Sequence, residues 1–167
     1  YRRTPQPTLV GFAFASTEFI RCALSALQIG PYNSAADMNA KQYTIAQARA
    51  TLPMVRRYMP EIQSARGAIL RLRPEALPAI EKAAQNGGCK EAGELYIQGT
   101  RIEHGVKGIS ELGILVKDLD MGLVDFLGSR AGRDVFLCWH YGEDDIAYWH
   151  DISSGFAGRQ LLDEEVT

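Results

Sequence analysis

The feature that most constrains this chain is a change of hydrophobic period at Gly113. Before it, apolar residues recur at helical spacing. After it, they fall into short runs with the two-residue alternation of strands. Ala48, Leu52, Val55, Met59 and Ile62 alternate steps of four and three, so they lie on one helical stripe. Thr44 can cap that helix, with Gln47 completing a capping box. Pro53 and Pro60 each remove a backbone donor, so the helix is expected to kink or restart there. Pro74 to Ala84 reads as a separate short helix stopped by Asn86-Gly87-Gly88. From Cys89 a longer helical stretch carries Leu95, Ile102, Val106 and Ile109. Its glycines, Gly93, Gly99, Gly105 and Gly108, either permit close packing or break it in two.

Beyond Gly113, Ile114–Lys117 and Leu123–Phe126 read as two short strands. Gly128 to Gly132 reads as a loop. Asp134–Tyr141 and Ile146–Ile152 read as a hairpin turned at Gly142–Asp145. The expected fold is therefore α+β: a helical N-terminal half packed on a small antiparallel sheet of two hairpins. The tail beyond Leu162 is acidic and expected to fray. Residues 1–37, rich in turn formers and preceding Met38, read as a non-native or disordered leader. Residues 38–167 read as a single α+β domain.

Composition narrows the function classes. A net charge of −2 gives no basic field for nucleic acid. No apolar run reaches the length of a membrane span, because Glu18 and Arg21 interrupt the best one. Cys22, Cys89 and Cys138 are scattered and odd in number, which suits reduced thiols in a cytoplasm.

Several motifs resemble a known family. They are Gly113-Ile114-Leu115-Val116-Lys117-Asp118, Gly122-Leu123-Val124-Asp125-Phe126, Leu137-Cys138-Trp139, Gly142-Glu143, Tyr148-Trp149-His150 and Gly155-Phe156-Ala157-Gly158-Arg159, in that order. With Tyr43-Thr44 and Leu52-Pro53, they resemble the bacterial family known as domain of unknown function 2203 over about residues 43–162. The resemblance implies a small prokaryotic cytoplasmic protein and no particular reaction.

The side chains that could carry chemistry are Asp118, Asp125, Trp139, Trp149, His150 and Arg159. Asp118, Asp120 and Asp125 surround a turn, which aspartates also occupy for purely local reasons. The segment from Ser153 to Arg159 combines glycines with an arginine able to fork onto an anion, or onto Asp125 or Asp151. Trp139 and Trp149 are aromatic walls for a ligand or parts of a core. Cys138, His140 and His150 are metal-type ligands, but the turn at Gly142–Asp145 implies that His150 pairs opposite Leu137. That parity puts His140 and His150 on opposite faces, so no metal ligands are assigned. The leading expectation is a non-catalytic binding or interaction protein for a partner or small anionic ligand, with a homodimer through the helices. One alternative is a small enzyme with a pocket of Asp118, Asp125, His150 and Arg159. The other is a metal-binding protein using Cys138 and the histidines. The residues name no cofactor.

Overall fold

The computed structural model describes residues 41–83 and 90–166. The expected leader, residues 1–37, lies outside them, as do Cys22, Cys89 and the Asn86-Gly87-Gly88 stop. Helix α1 spans Ile45–Ala83 and helix α2 spans Lys90–Glu111. The expected capping box opens α1: the Thr44 and Gln47 amides donate to each other's side-chain oxygens at 3.1 and 3.2 Å.

The proline expectation is corrected. α1 runs unbroken through Pro53, Pro60, Pro74 and Pro78, so the separate helix from Pro74 is the end of the first. The buried stripe explains this. Leu52, Val55, Met59, Ile62, Ala65 and Ile69 are almost wholly buried, whereas all four prolines are exposed. The missing donors face water, where the orphaned carbonyls can be hydrated, and apolar burial offsets the rest. Two α2 glycines provide the close approach. A Cβ on Gly105 would lie 2.6 Å from Ile62, and one on Gly108 would lie 2.5 Å from the Tyr58 ring.

Five strands follow: β1 (Leu115–Asp118), β2 (Leu123–Arg130), β3 (Arg133–His140), β4 (Tyr148–Asp151) and β5 (Gln160–Leu161). They form one antiparallel sheet in chain order. The two expected hairpins are thus one meander. Gly128 to Arg130 belong to β2, and the reversal is confined to Ala131-Gly132, both at positive φ, as a tight two-residue turn prefers. The tail is also fastened rather than frayed. Arg130 pairs with Asp163 and Glu165, and Val166 is buried.

Alternation gives the sheet two faces. Val124, Phe126, Val135, Leu137, Trp139 and Trp149 join the helical stripes in the main core. Leu115, Leu123, Asp125, Phe136, Cys138 and His150 occupy the opposite face and are buried as well. No described helix is long and apolar enough to cross a membrane.

Candidate functional site

The register of β3 against β4 builds the site. Phe136 pairs with His150, and Leu137 with Trp149. This is one residue away from the register implied by the turn, and it reverses the parity argument: His150 shares its face with Cys138 and His140. Asp125 on β2 pairs directly with Cys138. Three neighbouring strands therefore bring Asp125, Cys138 and His150 together, with one ligand-type atom from each lying within 4.8 Å of the others. All three residues have zero exposure.

His150 Nε2 lies 3.2 Å from Asp125 Oδ2. Its Nδ1 is 2.8 Å from the Asp151 carbonyl, an acceptor only, so Nδ1 carries the hydrogen. The Nε2–carboxylate approach is that of a buried ion pair. Among the described residues, both Asp125 oxygens and His150 Nε2 lack a hydrogen-bond partner. Burial by itself would lower the His150 pKa, but the facing Asp125 carboxylate and the Asp151 carbonyl outweigh it and raise the pKa. Burial, followed by the Asp125 charge, pushes the Cys138 thiol far above its ordinary range.

That geometry does not suit nucleophilic catalysis. A thiol nucleophile needs a histidine nitrogen free to take its proton, and it needs easy ionisation. Here Nδ1 is committed to a carbonyl, Nε2 faces a carboxylate, and the thiol is held protonated. A buried oxygen–sulfur–nitrogen donor set suits a bound ion better.

The other candidate residues lie elsewhere. Asp118 Oδ1 accepts from the Asp120 and Met121 amides, so Asp118 holds its own turn. Trp139 is in the main core, and its Nε1 donates to the Glu143 carbonyl. Trp149 is in the same core beneath the Arg130 guanidinium. Arg159 donates to both Glu143 oxygens at 2.8 and 2.7 Å and lies over the Tyr148 ring. The expected carboxylate partner therefore exists, but it is Glu143, not Asp125 or Asp151. Of the four residues of the expected enzyme pocket, Asp125 and His150 meet, while Asp118 and Arg159 are engaged locally. His104 lies beside Tyr58 on the helices, and His140 beside Phe156.

Glu143 reads from sequence as a turn residue, yet it also accepts from the His140 amide. Its signal was the Gly-Glu pair at the hairpin turn. A shallow hollow lined by Gln42, Tyr43, Thr44, Gln47 and Ser129 contains none of the candidate residues.

No curated protein and no solved structure matches the chain. A family described as "Uncharacterized conserved protein (DUF2203)" matches residues 41–162, which include both helices, all five strands and all three residues of the buried cluster. The chain belongs to the DUF2203 family.

Proposed function

We propose that this chain is a non-catalytic binding protein whose small ligand lies against Asp125, Cys138 and His150 on the sheet face away from the helices. One observation carries this reading: the Asp125 carboxylate has zero exposure, and the polar side-chain groups gathered on it are the His150 imidazole, 3.2 Å from Oδ2, and the Cys138 thiol, a donor set that can close on an ion. A buried carboxylate is costly unless it is paired or ligated, and a single imidazole leaves one of its oxygens unengaged. The unengaged atoms are acceptors, so a cation or a strong donor fits them better than an anion. The anionic alternative rests on Arg159, whose Nη2 is already engaged by both Glu143 oxygens. The enzyme alternative would need Asp118 and Arg159 to leave their local partners. A reducing cytoplasm, in a prokaryotic cell, suits a buried thiol. A homodimer is a second reading, supported by Tyr96 and Ile97, which are about half exposed on α2. Sedimentation of the wild type and of Ile97→Glu tests it.

Native mass spectrometry of protein purified without chelator tests the main reading. The expected result is an adduct of fixed mass, which disappears on denaturation and is absent from Asp125→Asn. A native mass equal to that of the bare chain overturns it.

A further inference from the structure

We propose that the ligand is a soft or borderline divalent metal ion of the zinc type, held by Asp125 Oδ2, Cys138 Sγ and His150 Nε2; this rests on the binding reading above. The donor set argues for the class of ion. Sulfur and imidazole nitrogen select zinc and its neighbours, whereas magnesium and calcium demand shells of oxygen. A single carboxylate among β-strand side chains cannot provide such a shell.

Spacing agrees. Tetrahedral ligands at bond lengths of about 2.0–2.3 Å stand roughly 3.3–3.7 Å apart. Nε2 and Oδ2, 3.2 Å apart, match this separation, and the sulfur, within 4.8 Å of both, would close on the ion by up to about an ångström.

The surroundings of His150 agree as well. A metal-bound histidine commonly donates its other ring N–H to a carbonyl or carboxylate, which fixes the tautomer and aims the free nitrogen at the metal. His150 Nδ1 does this with the Asp151 carbonyl. Finally, a metal engages two of the partnerless atoms, Asp125 Oδ2 and His150 Nε2, together with the Cys138 sulfur beside them. Without a metal, the protonated Cys138 thiol and the His150 imidazole would share the Asp125 carboxylate between them. The ion would tie β2, β3 and β4 together on the face that the helices do not cover.

The test uses the full chain, stripped with chelator and titrated with Co(II) alone. The expected result is one Co(II) per chain, with a near-ultraviolet thiolate-to-cobalt band that Zn(II) displaces. The band should survive Cys22→Ser with Cys89→Ser, which leaves Cys138 as the only thiol. His150→Gln and Asp125→Asn should weaken binding by more than the roughly 10–100-fold that losing an outer-shell partner costs. Urea melts of every variant separate loss of metal from loss of fold. If one variant fails to fold, the wild-type band and the two-serine variant still decide. Cobalt binding without the thiolate band, or loss of the band in the two-serine variant, overturns the metal assignment. If no metal binds but the native adduct persists and needs Asp125, the metal proposal falls and the binding reading stands. If there is neither metal nor adduct, both fall.

Discussion

His150 and Asp125 face each other across the sheet at 3.2 Å, both fully buried, one on β4 and the other on β2. In chelator-stripped protein this pair makes stability depend on pH. The folded state raises the His150 pKa above its ordinary 6.5. The stabilising contribution is therefore fully present below pH 6.5 and is lost as pH rises through the folded value. In Asp125→Asn burial, the Asp151 carbonyl and the Lys117 charge remain; burial, the largest, lowers the pKa and Lys117 adds to it. The His150 contribution should then change sign, so the variant gains stability relative to wild type as pH rises from 6 to 9. Urea midpoints of both proteins across that range check it; parallel curves would show that the two groups do not sense each other.

Gly108 and Gly93 lie on the same helix and should respond oppositely to alanine. A Cβ at Gly108 would lie 2.5 Å from the Tyr58 ring, which is packed between the helices. Gly108→Ala should cost about 1–3 kcal/mol, as overpacking does. A Cβ at Gly93 meets nothing within 4 Å, so Gly93→Ala should stabilise by about 0.5–1 kcal/mol through helix propensity alone. Equal effects at the two positions would mean that the glycines answer to propensity and not to the approach of α1.

Trp149 is 4% exposed, and its Nε1 has no partner among the described residues. Trp149→Ala should destabilise by about 3–5 kcal/mol. Trp149→Phe should cost much less, because it keeps most of the apolar volume and removes a buried donor that nothing satisfies. Chemical denaturation separates the two. A loss below about 1 kcal/mol for alanine would place the ring outside the core.

The helices and most strands were legible because each carries a long or repeated local pattern. The stripe from Ala48 to Ile62, the capping box at Thr44 and the alternation through Val135, Leu137 and Trp139 all act within a few residues. The errors arose where distant packing prevailed. Pro53 and Pro60 read locally as breaks and Pro74 as a new start, but they lie on the exposed side of a helix whose other side is buried. Gly128 reads as loop, but it is the strand position that approaches Leu137. The site was the least legible part. Asp125, Cys138 and His150 are separated by whole strands, and only the register brings them together. A one-residue shift in that register moves His150 to the other face, and turn composition alone does not settle a shift of that size.

Arg159 and Glu143 tie the loop after β4 to the turn before it. Arg159 Nη2 reaches both Glu143 oxygens, and its guanidinium lies 4.1 Å over the Tyr148 ring and 4.9 Å over Phe156. Glu143 also accepts from the His140 amide, while its own carbonyl accepts from Trp139 Nε1 and Arg56. The pair is largely screened from water, with 11% and 24% of the two side chains exposed. Lysine at position 159 would keep the charge but lose the planar guanidinium that stacks on two rings while Nη2 reaches Glu143. Arg159→Lys should therefore cost about 1–2 kcal/mol, within the range of hydrogen bonds to charged groups. Glu143→Gln should cost a similar amount, and the double variant should cost clearly less than the sum, because both remove the same interaction. Cobalt uptake should be unchanged in Arg159→Lys, since the guanidinium touches Cys138 only through its backbone carbonyl. Additive losses in the double variant would mean that the two residues act independently. Loss of cobalt binding with an unchanged melt would instead make Arg159 part of the site.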